Sequence, residues 1–194
     1  MKAKIIILLL FFPVLLYSQN PDIQILKEIN INRNTSLDST FRLLTDSAAP
    51  LAFGITALLL VLAFIRKDLQ KKQRAIIIGT SVVSSAIISL ILKFIIDRPR
   101  PFDVYPFIEK MAGGGSPSFP SGHTSDAFAL ATSLSLVYPK WYIVIPSYMW
   151  ALGVSYSRLH LGVHFPTDVL VGVIIGLGIA YLNFWAIKKV KIKI

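Results

Sequence analysis

The apolar blocks of this chain constrain it more than any other feature. A helix that crosses a bilayer needs about 20 mostly apolar residues. Residues 48–65, 75–96, 141–157 and 167–187 read that way, and 120–138 is a fifth, Ser/Thr-rich stretch. Only Lys93 interrupts the second block. Charged residues are 15% of the chain, against about 25% in a soluble domain, so a soluble globule and a disordered chain are both excluded. The predicted fold class is all-α: an integral membrane helical bundle with five core transmembrane helices. Gly172, Gly176 and Gly178 in the last block are expected at close helix contacts.

Residues 1–19 have two readings. Lys2 and Lys4 precede an apolar run at 5–16, then Tyr17-Ser18-Gln19. This is the pattern of a signal peptide; the alternative is a short sixth helix broken by Pro13. In residues 20–47, Ile23, Leu26, Ile29, Leu37, Phe41 and Leu44 recur at helical spacing among polar residues. One amphipathic helix or two short ones on the outer interface is expected there. The organisation is then a leader or helix at 1–19, an interfacial segment at 20–47 and a single membrane domain at 48–194.

The formal charge is +10, and its placement decides what that means. Arg66, Lys67, Lys71, Lys72 and Arg74 follow the first block, Lys140 separates the third from the fourth, and Lys188, Lys189, Lys191 and Lys193 end the chain. Alternating spans put these segments on one side. With Lys2 and Lys4, 12 of the 20 basic residues lie there and Asp68 is the only acid. The positive-inside rule makes that side cytoplasmic. The basic surplus is therefore a topology signal, and nucleic acid is not the expected partner; the lipid bilayer is. The expected location is a bacterial inner membrane, with residues 97–119 and 158–166 facing the periplasm.

Polar groups at a membrane boundary are costly and usually functional. Lys93 lies three residues before the end of its apolar block, where a lone lysine would snorkel. Arg98 and Arg100 follow, alternating with Pro99 and Pro101. The prolines favour an extended backbone, and arginine presents a planar fork suited to phosphate oxygens. Pro120-Ser121-Gly122-His123 opens the third block. With Pro120 at a first helical position, unpaired amides and the helix dipole form an anion site, Gly122 removes a Cβ, Ser121 adds a hydroxyl and His123 can carry a proton. Ser157-Arg158, His164 and Asp168 form the third group. A carboxylate beside a histidine sets the tautomer and orientation of the ring, freeing the other nitrogen as a nucleophile. Asp126 is expected to turn inward, away from lipid. His160 takes a structural reading. With no cysteine and no acidic cluster, no metal site and no cofactor are expected, so the cations must neutralise the charge of a phosphoryl group themselves.

Lys93-x6-Arg100-Pro101, Pro120-Ser121-Gly122-His123 and Ser157-Arg158-x5-His164-x3-Asp168 together resemble the three-part signature of the type 2 phosphatidic acid phosphatase family. The resemblance spans roughly residues 51–177 and adds little before residue 48. It implies an all-helical membrane phosphatase, independent of metal, that works through a phosphohistidine. By position, His164 resembles the nucleophile, Asp168 its orienting partner and His123 the acid that protonates the leaving oxygen. Lys93, Arg100, Ser121, Gly122 and Arg158 resemble the phosphate cradle. Arg98, His160 and Asp126 lie outside the signature, so no role transfers to them.

The expected substrate is an envelope lipid carrying a phosphate or diphosphate, with undecaprenyl diphosphate and lipid A ahead of phosphatidylglycerol phosphate and phosphatidate. Vanadium haloperoxidases share the constellation, but they resemble larger soluble chains. A lipid-phosphate binding or transport protein is the non-enzyme alternative, and the two histidines with Asp168 argue against it, since binding alone needs only the cations.

Overall fold

Every regular element between residues 20 and 190, the stretch that the computed structural model describes, is helical. The leader or extra helix expected at 1–19, with Lys2 and Lys4, lies outside the described residues, as do Lys191 and Lys193. The helices are α1 (Pro21–Ile31), a 3-10 turn at Thr35–Leu37, α2 (Asp38–Asp46), α3 (Ala48–Ile65), α4 (Leu69–Ile96), the one-turn α5 (Pro101–Val104), α6 (Gly122–Val137), α7 (Trp141–His160) and α8 (Pro166–Val190). The chain is an all-α membrane bundle.

Local chemistry sets several of these ends. The Asp68 carboxylate accepts the Lys71 amide at 3.1 Å and caps α4, and Asp97 closes the same helix in the left-handed conformation at φ 48°. Asn20 caps α1 by accepting the Asp22 amide at 3.1 Å.

Length and composition alone mark three stretches as able to cross a membrane, 35–65, 69–104 and 166–189. These carry α3, α4 and α8. The other two expected spans, α6 and α7, fall outside that criterion for different reasons. α6 has 16 residues, about 24 Å at 1.5 Å per residue. It is the central helix, packed against α3, α4, α7 and α8, so it faces protein rather than lipid and needs no long apolar surface. Its hydroxyls are spent on neighbours: Ser125 meets Ser89 of α4 at 2.7 Å, and Thr132 accepts from the Tyr148 hydroxyl of α7 at 3.0 Å. α7 carries Pro146 internally and ends in the polar Arg158 and His160.

The central position of α6 rests on small residues facing it from α8. A Cβ built on Gly172 would lie 2.8 Å from the Ser121 carbonyl oxygen, and one on Gly176 would lie 2.5 Å from that of Ser125 and 2.7 Å from the Phe128 Cβ. The third glycine expected in this contact, Gly178, has open space around it. Four residues bring a helix nearly back to the same face and six do not.

The bundle has two chemically different ends. The Arg74 guanidinium lies over the Tyr138 ring at 5.1 Å, and Tyr138, Phe184 and Ile187 pack on one apolar cluster with Ile77 and Ile78. The segment 66–74, Lys140 and Lys188–Lys189 therefore share one end. At the other end, α1 and α2 lie on the bundle as two short helices. They are more deeply set than an interfacial segment: Leu26 is fully buried with Ile108 and Phe165, and Asp22 and Asn30 are buried as well.

The two glycines give unequal expectations. Gly176→Val pushes a side chain into α6 backbone that cannot yield, and should cost at least the roughly 1–3 kcal/mol typical of overpacking. Gly178→Val should leave stability nearly unchanged. Thermal unfolding of the two variants in detergent compares them directly.

Candidate active site

Lys93, Arg100 and Arg158 come from three separate elements and line one cavity of about 290 Å³. Gly122, His123 and His164 line it too, with Asp126, Ala49 and the loop at Gly113–Ser116. Each cation is held by neutral groups. Lys93, only 8% exposed, donates to the Pro117 carbonyl at 2.5 Å, so it turns into the protein and does not snorkel. Arg100 donates to the carbonyls of Ser116 and Val163, both at 2.8 Å. Its guanidinium lies so close to Gly114 that a Cβ there would sit 2.9 Å away, which gives Gly114 a purpose, whereas Gly113 and Gly115 have open space around them. Arg158 donates through Nη1 to Thr45 Oγ1, while its Nε is buried with no hydrogen-bond partner.

Among the described residues, none of these three cations forms an ion pair. Buried polar groups without partners are rare and call for an explanation. Three uncompensated cations around one space form a site for an oxygen-rich anion.

His164 sits at the wall of this cavity, and its Nδ1 meets Asp168 Oδ2 at 3.3 Å. The same oxygen accepts the Phe165 amide at 2.9 Å and the Ser118 hydroxyl. With Nδ1 directed to the carboxylate, Nε2 is the nitrogen left for the cavity. Burial pushes the imidazole well below its usual range, Arg158 and Arg100 add to this, and the Asp168 hydrogen bond pulls against it. The ring is therefore neutral at ordinary pH and its free nitrogen carries a lone pair. Asp168 itself is fully buried in the first turn of α8.

α6 starts two residues later than expected. Ser121 is its N-cap and Gly122 its first residue, so Pro120 lies before the helix and does not occupy its first position. Ser121 also departs from expectation. Its hydroxyl contacts Thr124 Oγ1 at 2.9 Å, its amide donates to the Asp168 carbonyl at 3.0 Å, and the residue is not among those lining the cavity. It ties α6 to α8 behind the site. Gly122 does face the space, where an added Cβ would meet only Lys93 Cε, at 3.9 Å.

Asp126 turns inward as expected, into the cavity one turn below His123, and its Oδ1 is buried without a hydrogen bond. His160 lies elsewhere: Nε2 contacts Asp38 at 2.7 Å and the ring packs on Phe41, in keeping with a structural role.

Sequence reasoning missed four groups. Ser118 bonds the Asp168 carboxylate. Arg98, left without a role, donates to Asp168 Oδ1 at 2.6 Å. Thr45 and Asp22 reach the site from the N-terminal segment. A pairing with Asp22, 76 positions away from Arg98, leaves no local sequence signal; the Arg-Pro-Arg-Pro alternation was the one available hint that both arginines have fixed targets.

A model of the PAP2 superfamily matches residues 74–192. An undecaprenyl-diphosphatase of Sulfolobus acidocaldarius is 32% identical over 174 residues, covering 84% of this chain and 76% of that protein. A lipid A 4'-phosphatase of Bacteroides thetaiotaomicron is 43% identical over 63 residues, 32% of this chain and 28% of that protein. Among solved structures, the first transmembrane PAP2 type phosphatidylglycerolphosphate phosphatase from Bacillus subtilis superposes with a TM-score of 0.73 at 26% identity, covering 98% of this chain and 96% of that one.

The cavity should bind inorganic phosphate. A hydrogen bond to a charged group contributes about 1.5–3 kcal/mol, so Arg158→Met should weaken phosphate roughly ten- to hundredfold. Arg74→Met, at the other end of the bundle, should not change it. Calorimetric titration of both variants separates a cavity-specific effect from a general loss of positive charge, and equal affinities would show that the anion is held elsewhere.

Proposed function

Since this chain belongs to the PAP2 superfamily, we propose that its cavity hydrolyses the terminal phosphate of a cell-envelope lipid that carries a phosphate or diphosphate, through a phosphohistidine formed on His164. That the protein is a membrane lipid phosphatase follows from the family and its relatives. The observation that carries the mechanism is the Asp168-oriented imidazole on a cavity lined by three unpaired cations.

The terminal phosphate sits among Lys93, Arg100 and Arg158, near Gly122 at the start of α6. Its negative charge is matched by fixed donors that need no reorganisation as the transition state forms. His164 Nε2 attacks phosphorus in line with the leaving oxygen. As the N–P bond forms, the P–O bond breaks, its electron pair goes to the leaving lipid oxygen or lipid phosphate, and His123 supplies the proton. Asp168 accepts the Nδ1–H throughout and supports the positive charge that develops on the ring. Water then attacks phosphorus and His123 takes its proton; as the new P–O bond forms, the N–P bond breaks, its electron pair returns to His164 Nε2, and inorganic phosphate leaves. Ser121, expected in the cradle, acts in this scheme from behind it by fixing the start of α6 on α8. The cations take the place that a divalent metal occupies in other phosphoryl-transfer sites, and no cofactor is part of the scheme.

Residues 48–194 serve as the membrane phosphatase domain and 20–47 as its outer cover. The positive-inside rule supports placing the basic end in the cytoplasm and the cavity at the periplasmic face of the inner membrane. Spent carrier lipid and outward-flipped lipid A meet the enzyme on that side. Undecaprenyl diphosphate is the favoured substrate, since the relative with that activity aligns with 84% of the chain. Lipid A is next, supported by the shorter match to a lipid A 4'-phosphatase. Phosphatidylglycerol phosphate is a second reading, favoured by the extent of the structural match to a phosphatase of that substrate.

Two expectations test this reading. His164→Ala should lose turnover while still inserting and folding, and the wild type, quenched during turnover, should carry an acid-labile phosphoryl group on His164. Normal turnover by the alanine variant would sink the mechanism. Substrate choice is tested by phosphate release from water-soluble esters, C15 and C55 diphosphates, lipid A and phosphatidylglycerol phosphate. Tail burial, at up to about 0.8 kcal/mol per CH₂, predicts efficiency rising with chain length, and a flat series would remove the lipid selectivity while leaving the chemistry intact.

A further inference from the structure

Behind the cavity, Asp168 and Arg98 are held by a helix that lies outside the region matching the family model. Asp22, on α1, is 3% exposed. Its Oδ1 accepts the Thr167 amide at 2.8 Å, and its Oδ2 accepts the Thr167 hydroxyl at 2.6 Å and Arg98 Nη2 at 2.7 Å. Arg98 uses its other terminal nitrogen, Nη1, on Asp168 Oδ1 at 2.6 Å and on Thr167 Oγ1 at 2.8 Å. The guanidinium also lies over the Phe165 ring at 3.8 Å. The chain of contacts runs Asp22, Arg98, Asp168, His164.

We infer that Asp22, acting through Arg98, is a positioning residue for His164. The inference rests on the reading of His164 as nucleophile with Asp168 as its orienting partner. Asp168 has no exposed surface and Arg98 is the one cation paired with it among the described residues. A carboxylate in that setting depends on its partner for charge and for direction. Arg98 is a rigid planar fork, and a fork anchored by a single prong can rotate. Asp22 holds the second prong. It also accepts the amide of Thr167, next to Asp168 in the first turn of α8, so it fixes the carboxylate from two directions. Leu26, buried against Ile108 and Phe165, and Asn30, which bonds Glu109 and His160, keep α1 seated. Asp22 does not line the cavity. Its contribution falls on the aim of the attacking nitrogen and leaves phosphate binding untouched.

Asp22→Asn separates this role from helix capping, because the amide oxygen still accepts the Thr167 N–H while the charge opposite Arg98 is gone. The expected result is a fall in kcat of about tenfold or more, within the roughly hundredfold that a 1 Å misplacement can cost, with KM and the Kd for inorganic phosphate unchanged. Phosphohistidine formation in a single turnover should slow by the same factor. Arg98→Ala should be at least as impaired, and adding Asp22→Asn to it should cause no further loss, since Asp22→Asn keeps the acceptor for the Thr167 amide and the charge it removes acts through Arg98. A normal kcat in Asp22→Asn, a proportional loss of phosphate affinity, or additive losses in the double variant would overturn the inference. If Asp22→Asn fails to fold, Arg98→Lys tests the same contact: it keeps the charge but cannot bridge two carboxylates, so lowered kcat with intact phosphate affinity supports the role and normal kcat refutes it. His164→Ala, assayed alongside, tells the two failures apart. A dead His164→Ala with a fully active Asp22→Asn removes only the role of Asp22, whereas an active His164→Ala removes the nucleophile reading beneath it.

Discussion

The Asp168 carboxylate has no exposed surface, yet it gathers four donors from three stretches of chain. Arg98 binds Oδ1, while Ser118, the Phe165 amide and His164 bind Oδ2. A buried carboxylate is costly unless it is paired and fully hydrogen-bonded, so folding the site end of the bundle means bringing these donors together. The Asp168 backbone carbonyl extends the same logic by accepting the Ser121 amide, which docks the start of α6 onto α8. The cations follow the opposite rule. Lys93, Arg100 and Arg158 are held by carbonyl and hydroxyl oxygens, so they are positioned without being neutralised. Negative charge is consumed behind His164 and positive charge is left unspent in front of it.

This separation depends on the glycines of α8. A hydroxyl-rich α6 can occupy the middle of a membrane protein only if its neighbours enclose it, because its polar groups find partners in protein and not in lipid. Gly172 and Gly176 let α8 approach the α6 backbone closely enough for that, and Gly172 does so at the Ser121 carbonyl oxygen, beside the site. The packing that allows a polar central helix is also the packing that brings His123 to the cavity that His164 lines.

Most of the bundle was legible in the sequence because hydropathy and charge act locally. The run 48–65 coincides with α3, and the other four blocks fall within a few residues of their helices. That six of the eight expected site residues would meet at one cavity was legible too, since they lie at or near helix ends where their types have a physical reason to be. What was not legible depends on contacts between distant residues. Nothing near Lys93 says that it turns toward Pro117 instead of toward the interface, and nothing near Asp22 says that it faces Arg98. Ser121 looked like a cradle residue because a hydroxyl at a helix start suits an anion, but its hydroxyl meets Thr124 in the first turn of its own helix. Gly178 looked equivalent to Gly176 until α8 acquired a face.

The cavity and its supports draw on the chain both inside and outside the stretch that matches the family. The cradle, both histidines and Asp168 lie within residues 74–192, the stretch that matches the family model. Ala49 on the cavity wall, Thr45 bonded to Arg158 and Asp22 behind Arg98 all lie before it. Proteins similar to this chain are named for lipids as different as undecaprenyl diphosphate and lipid A, so the likeness alone does not select among them. Two walls of the cavity are the start of α3 and the glycine loop at 113–115. The N-terminal segment, which the signature leaves blank, supports the site from behind through Thr45 and Asp22.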